Sequence, residues 1–431
     1  MSKYQAFIFN SWKFDPTLKK LWLRYSYDDV LDFEEEYSFD FDFVDYSAPA
    51  LERAINNLFF MAGVSYYKAY LAPSIEIRQG SLDAKHADFF GKTYQRGLGE
   101  FFYVNKLDPN STIEFPVNSE QLEPTGNNGE GILLGLGGGK DSLVSVELLR
   151  PKHDVTTWTV GHGQQLEPLV EKTALPHLQI VRSWDLKLDQ VNKVDALNGH
   201  VPISAILACV GTVVAILSGK RDVIVSNERS ADEPTLEFKG VSVNHQYSKS
   251  SEFEKDYQAL LAADFNESIR YYSLLRPLSE LMIAKLFAEI GFEKYKTVFS
   301  SCNRAFTKDC ERLFWCGECP KCAFVYLALA PFIEEAKLIE LFGKNLLLEP
   351  QLAATYRQLL GINGNKPMEC VGEIAESRWA MDAMKQKYPA LRSFIYDKGG
   401  TGSVWELSNH SIPPEVSVSV ANLQPFFGQR E

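Results

Sequence analysis

Residues 130–150, EGILLGLGGGKDSLVSVELLR, decide how the rest of the chain is read. Ile132, Leu133 and Leu134 make a short continuous apolar run, the pattern of a strand buried on both faces. Gly137, Gly138 and Gly139 follow, supplying backbone that turns tightly and comes close to a ligand. Beyond Lys140, the residues Asp141 and Ser142 open an apolar, helix-forming segment through Leu149, so the glycines face a helix N-terminus with free N–H groups. Strand, glycine turn, lysine and helix start together form a cradle for an anion.

Two familiar phosphate motifs fail to describe this cradle. A Walker A loop requires glycine where Leu134 stands and a hydroxyl residue where Asp141 stands. A dinucleotide fingerprint counted from Gly135 requires glycine where Lys140 stands. The stretch resembles the PP-loop of the ATP pyrophosphatases, the adenine-nucleotide alpha hydrolase-like family, whose motif SGGxDS follows a first buried strand. Gly137 replaces the leading serine, while Gly138, Gly139, Lys140, Asp141 and Ser142 match. The resemblance implies a loop that holds the pyrophosphate end of ATP while the α-phosphate is attacked, so that a substrate is adenylated and pyrophosphate leaves. The missing serine hydroxyl removes one donor. A glycine turn with no ligand is the plainer alternative, and the strand-turn-helix context favours the cradle.

Composition bounds the rest. A chain of 431 residues exceeds what one core usually holds, which predicts several units: an N-terminal α+β domain over 1–115, an ATP-binding domain over 126–333 and a C-terminal region over 334–431. Its 45% hydrophobic and 23% charged residues are those of a globular protein. The start, MSKYQAFIFNSWKFD, lacks the pattern of a signal peptide, so a cytoplasmic location is expected. Residues 201–218, VPISAILACVGTVVAILS, are uncharged, but their small residues and their place between two predicted strands suit a helix packed on a sheet, and no membrane span is expected. The net charge of −12, from 44 basic and 56 acidic residues, disfavours extended nucleic-acid binding.

The pattern along the chain predicts strands over 21–27 and 33–43, the second alternating aromatic and acidic residues with Glu35 breaking the apolar face. Helical spacing follows at Leu51, Ile55, Leu58 and Phe59, and a further helix is predicted over 83–102. Residues 110–130 have the turn-rich composition of a domain junction. Strands over 155–160, 178–181 and 222–225, separated by helices, imply an α/β fold with a parallel doubly wound sheet. Ligands bind beyond the carboxyl ends of such strands, which places Gly161 and the loop of Asn227, Glu228 and Arg229 near Gly138. That loop has the composition of a binding loop and equally of a solvated one. Asn244, His245 and Lys249 offer donors suited to phosphate or carboxylate, or form an ordinary polar loop. His200 stands immediately before the apolar helix, as a cap or as an acid or base near pH 7.

Five of seven cysteines lie between Cys302 and Cys322, which without an export signal points to metal or redox chemistry. Cys302, Cys316, Cys319 and Cys322 suit a closed tetrahedral zinc site that pins a loop, with an iron–sulfur cluster or free thiols as alternatives and Cys310 to spare. Cys370 sits in KPMECVGE between Glu369 and Glu373, either as a buried structural thiol or as a proton-transferring one.

Taken together, GLGGGKDS (135–142), NGHVP (198–202), SNERSADE (226–233), VNHQYSKS (243–250), CGECPKC (316–322) and KPMECVGE (366–373) resemble the MurL-type epimerases over the whole chain. These act on UDP-N-acetylmuramoyl-L-alanyl-L-glutamate in peptidoglycan precursor synthesis. The resemblance implies an ATP- and Mg²⁺-dependent isomerase that adenylates the terminal glutamate, inverts its Cα and releases AMP and pyrophosphate. It gives Gly137, Gly138, Gly139, Lys140 and Ser142 to the phosphates together with Gly161 and Asn227, Asp141 to Mg²⁺, and Arg229 or Lys249 to developing charge. His200, Glu228 or Cys370 would transfer protons, with Cys370 fitting cofactor-free inversion best, and Asn244, His245 and Lys249 would meet the UDP-muramoyl dipeptide. Other adenylating PP-loop ligases or amidotransferases, a 7-cyano-7-deazaguanine synthase-like enzyme, and a non-catalytic nucleotide-binding protein are the alternatives.

Overall fold

The computed structural model describes residues 2–307, 310–362, 364–397 and 402–427. Eleven strands occur among them: β1 (Ala6–Asp15), β2 (Lys20–Tyr27), β3 (Leu31–Asp40), β4 (Ser74–Ile77), β5 (Ile132–Gly135), β6 (Val155–Val160), β7 (His177–Ser183), β8 (Asp222–Val225), β9 (Leu236–Phe238), β10 (Val241–Val243) and β11 (Arg270–Ser273). Nine of these form one sheet in the order β11-β8-β5-β6-β7-β3-β2-β1-β4, and β9 and β10 form a hairpin.

Five neighbouring strands, β11, β8, β5, β6 and β7, run parallel. Numbered by their own succession along the chain they lie in the order 5-4-1-2-3, so the direction of winding reverses between β5 and β8. A crevice opens at such a reversal, beyond the carboxyl ends of the two strands. The glycine turn follows β5, and the Asn227 loop follows β8. The helix Lys140–Leu149 that begins after the glycine turn is tied to the loop after β8 by a hydrogen bond of 2.7 Å between Ser145 Oγ and Ser226 Oγ.

The strands expected from sequence to be parallel are so, and the sheet they form extends into an antiparallel part, which makes it mixed. β3 pairs antiparallel with β7, and β2 and β1 continue antiparallel beyond it, so the N-terminal α+β unit is continuous with the same sheet. Glu35, the break in the apolar face of β3, explains the join. Its carboxylate is buried and receives Arg182 of β7 at 2.8 Å, the Tyr37 hydroxyl, and a second Arg182 nitrogen at 3.1 Å. The acidic face of β3 meets cations instead: Glu34 meets Arg24 and Glu36 meets Lys20. β1 and β11 lie in stretches with no strand prediction, the first hidden by its bulge between Phe9 and Ser11, the second by its length of 4 residues.

The alternation of side chains across β5, β8 and β11 divides the interior in two. Leu133, Val223 and Tyr271 belong to a core shared with the N-terminal helices and with the apolar helix Ile203–Ser218. Ile132, Leu134, Ile224 and Tyr272 belong to a core shared with the helix Lys140–Leu149 and the helical C-terminal third. Ile203–Ser218 lies flat on the sheet, because a side chain at Gly211 would come within 2.8 Å of Val223. Among the described residues no helix is long and apolar enough to cross a membrane.

Replacing Arg182 with Met strands a buried carboxylate and should destabilise the fold by about 3–5 kcal/mol. The double replacement Glu35→Leu/Arg182→Met should recover much of that loss, which urea unfolding of the three proteins will measure.

Candidate active site

The glycine turn is shaped by its surroundings as well as by its own residues. Gly138 adopts φ +84°, and a Cβ there would stand 2.8 Å from the Phe306 ring and 3.2 Å from the Ser300 carbonyl oxygen. Ser300 N–H in turn donates to the Gly138 carbonyl at 2.9 Å. At Gly137 a Cβ would meet nothing within 4 Å. Gly139 is the extended cap of the helix Lys140–Leu149, and no side chain caps that helix, so its first-turn N–H groups keep the capacity to bind an anion. Gly161, at φ +65°, opens the loop after β6 with the same freedom from crowding.

Lys140 is buried, with its ammonium 2.5 Å from the Asp141 carboxylate and hydrogen-bonded to Glu280. Burial alone would lower Lys140, but the two carboxylates outweigh it and hold the lysine above its usual range. Burial likewise raises Glu280, with Lys140 opposing and Asp141 and Glu228 reinforcing. Burial would raise Asp141 too, yet Lys140, Lys321 and Lys249 outweigh it and keep this carboxyl below the usual range. The cation expected to meet phosphates therefore rests between two carboxylates. Lys249 and Lys321 also act on the same cradle.

Those two lysines lead to Cys370. Lys249 Nζ donates to Cys370 Sγ at 3.2 Å, and Lys321 Nζ donates to the Cys370 carbonyl oxygen. His245 acts on the thiol through its charge, and its Nδ1 pairs with Glu100. His200 stacks obliquely on His245 with ring centroids 4.6 Å apart, its Nδ1 lying 3.7 Å from Glu100. Burial would push the thiol up, but Lys249, His245 and Lys321 bring it down to about 6. Burial would lower His245, but Cys370 and Glu100 push it up to about 9. For His200, burial and the charge of His245 prevail over Glu100 and bring it down to about 4. These directions favour a thiolate beside an imidazolium and an ammonium, with the second imidazole neutral.

Other candidates take different places. The Glu228 carboxylate is buried, accepts from Ser230 Oγ at 3.1 Å and acts electrostatically on Lys249 and Glu280. Arg229 is engaged by Glu373 at 3.0 and 3.3 Å and by the Glu406 carbonyl at 3.1 Å, so its guanidinium ties the C-terminal region to the strand ends. Asn244 donates to the Ala231 carbonyl at 2.7 Å and accepts from Gln246 N–H at 2.8 Å. Both ends of its amide thus take part in the loop's own hydrogen bonds. Asn227, two residues beyond β8, accepts from Ser273 Oγ at 2.6 Å through its backbone carbonyl.

Cys302, Cys316, Cys319 and Cys322 converge, with Sγ···Sγ separations of 3.9, 3.7 and 3.5 Å for the pairs 302/319, 316/322 and 319/322. Four thiolates at about 2.3 Å from a tetrahedral zinc stand roughly 3.8 Å apart, so the set fits that ion. Cys310 lies apart, donating to the Arg304 carbonyl. Cys319 caps the helix Pro320–Leu329, and Lys321 in its first turn is the residue that reaches Cys370. The cluster thereby holds a lysine against the thiol loop.

Three site residues escaped the sequence: Glu100, Glu280 and Lys321. Only Lys321 carried a signal, its place inside CGECPKC.

Residues 1–274 match a family model described as the MurL N-terminal domain, and residues 298–395 match one described as the MurL C-terminal domain. A protein of Xanthomonas oryzae pv. oryzae is 42% identical over 346 residues, covering 79% of this chain and 76% of that protein. One of a Micromonospora species is 36% identical over 394 residues, 88% of each. A third, of Salinispora tropica, is 38% identical over 341 residues, 78% of this chain and 74% of that protein. All three bear the name UDP-N-acetyl-alpha-D-muramoyl-L-alanyl-L-glutamate epimerase.

Gly138 and Gly137 should respond unequally to substitution. Gly138→Ala should cost about 1–2 kcal/mol from the left-handed backbone alone, with the contacts at Phe306 and Ser300 adding to it. Gly137→Ser should change stability by less than about 0.5 kcal/mol. Denaturant midpoints of both variants check the contrast.

Proposed function

The chain belongs to the MurL family, and from that premise we propose that it inverts the Cα of the terminal L-glutamate of UDP-N-acetylmuramoyl-L-alanyl-L-glutamate, in the synthesis of peptidoglycan precursors. The observation that carries this is the half-buried thiol of Cys370 with Lys249 Nζ at 3.2 Å, where the charges of Lys249, Lys321 and His245 draw it below its usual range. A thiolate at neutral pH can take a proton from carbon without an organic cofactor.

Removing that proton requires the neighbouring carboxylate to be neutralised first, because a carboxylate cannot accept the second negative charge of an enolate. We infer that ATP supplies this activation. The glycine turn and the uncapped helix start at Lys140 would bind its phosphates, beside Gly161 and Asn227. The substrate carboxylate would attack the α-phosphate, forming an acyl adenylate as pyrophosphate leaves. Mg²⁺ would screen the phosphate charge, with Asp141 as its ligand on the protein. Lys140, held between Asp141 and Glu280, would exchange one carboxylate for a phosphate oxygen as the nucleotide enters.

With the acyl group neutral, Cys370 would take the Cα proton, and the charge would spread onto the acyl oxygen near Lys249 and the imidazolium of His245. A proton drawn from solvent and relayed through His200 or Glu228 to the opposite face would complete the inversion, and Cys370 would release the abstracted proton to solvent. Water would then cleave the adenylate to the D-glutamyl product and AMP. Zinc on the four cysteines would have no open coordination position, so its contribution would be to hold Lys321 against the Cys370 carbonyl.

Incubation with ATP, Mg²⁺ and the muramoyl dipeptide in D₂O should yield AMP, pyrophosphate and glutamate deuterated at Cα. An amide-forming ligase would consume an amine and leave Cα undeuterated, and a non-catalytic nucleotide-binding protein would release no pyrophosphate. Cys370→Ala should slow deuterium entry by about 10²- to 10⁴-fold while pyrophosphate release persists. Undiminished deuterium entry in that variant would remove Cys370 as the base. Metal analysis should find stoichiometric zinc that is lost in Cys322→Ser, with a fall in thermal stability.

A further inference from the structure

We infer that Glu100, contributed by the N-terminal half of the chain, is a positioning residue for the thiol: it holds His245 as the cationic partner of Cys370, so that Glu100, His245 and Cys370 act as one relay. This rests on the proposed role of Cys370 as the base.

The placement of Glu100 follows from a break between helices. The helix Ala84–Gly97 ends at Leu98, and a short helix, Gly99–Val104, starts there with Glu100 in its first turn. A Cβ on Gly99 would lie 3.4 Å from Val243 Cγ1, so the new helix runs against the strand that leads to His245. The Glu100 carboxylate occupies His245 Nδ1, which leaves Nε2 as the ring nitrogen available to the thiol. The carboxylate is mostly covered, at 16% side-chain exposure, so its charge acts with little screening by water.

One carboxylate serves two imidazoles. His200 Nδ1 is 3.7 Å from it, but His245 takes the short contact and the proton. Burial leaves Glu100 under pressure to protonate, yet its hydrogen bond to His245 and the charges of His245 and His200 keep it below the usual range. The groups facing the relay come from every side. His200 and Glu100 belong to the N-terminal side, Lys249 and Glu228 to the loops beyond β8, Lys321 and Glu369 to the C-terminal third, and Asp141 to the glycine turn. Two of the cations nearest the thiol, Lys249 and Lys321, are independent of Glu100. Removing Glu100 therefore withdraws one of three stabilising charges and leaves the other two.

The sign of the effect distinguishes the relay from a simple field. A carboxylate acting directly on a thiolate repels it, so its removal would lower the thiol pKa. A carboxylate acting through His245 sustains the imidazolium, so its removal must raise the thiol pKa. The experiment is the pH profile of Cys370 alkylation by iodoacetamide, read by peptide mass spectrometry on the intact zinc-loaded chain without substrate. Glu100→Gln should move the inflection upward by about 1 unit or more, and Glu100→Asp should restore much of the difference. His245→Gln should give a similar upward shift, and the double variant should add nothing further, since both changes remove the same charge.

An unmoved inflection in Glu100→Gln, a downward one, or additive shifts in the double variant would overturn the inference. If Glu100→Gln does not fold, Glu100→Asp and His245→Gln decide it through the same profile. Because the profile needs no turnover, a wild-type protein that fails to exchange deuterium would refute the proposed function and leave this test standing. Under the relay, Glu100→Gln should also slow Cα deuterium entry at neutral pH more than at high pH, where the thiolate forms unaided.

Discussion

β5 carries no charged side chain, and its residues alternate into two dry cores, Leu133 into one and Ile132 and Leu134 into the other. β8 repeats the pattern, with its one charge, Asp222, neutralised at the amino end by Arg270 at 2.5 Å. Buried charge without a partner is too costly to sit along such strands. Polar chemistry is displaced to the carboxyl ends, where the backbone leaves the sheet. Because winding reverses between these two strands, the loops that follow them open on one crevice, and that is where the glycine turn and the Asn227 loop lie.

The same separation explains why both halves of the chain are needed for one site. The N-terminal half covers one face of the parallel strands and the C-terminal third covers the other. They meet around Cys370: Glu100 and His200 arrive from one layer, Lys321 and the thiol from the other, with Lys249 on the loop between. The Glu35–Arg182 pair anchors the N-terminal strands to the sheet edge, so the helix bearing Glu100 is fixed in relation to β5 and β8.

Charge in the crevice is arranged as opposed pairs. Lys140 lies between Asp141 and Glu280, and the thiolate lies among Lys249, Lys321 and His245. Each member shifts the others, so that neighbouring groups of one kind diverge: His245 is drawn up and His200 down although they share one carboxylate. Two similar groups with separated protonation states are what proton transfer at a single carbon requires. The four cysteines contribute at one remove, by fixing the helix whose first turn carries Lys321.

Local patterns were legible in the amino-acid sequence because their cause is local. A strand-glycine-helix run states its own backbone, as φ +84° at Gly138 bears out, and three cysteines within seven residues state their convergence. The mixed sheet was not legible, since β3 and β7 are far apart in the chain, with Glu35 and Arg182 separated by 147 positions, and the pairing is announced only by the odd Glu35. Nor were the partners of the thiol. Lys249 and Cys370 are separated by 121 residues and Glu100 and His245 by 145. Nothing in the composition around Glu100 or Glu280 sets either apart from a solvated helix residue. The sequence by itself determined the strand, glycine turn and helix start, the convergence of the cysteines and the family. Only the tertiary structure decided which cations flank Cys370 and which of two histidines carries charge, because those depend on burial and on contacts that exist only when both layers have closed over the sheet.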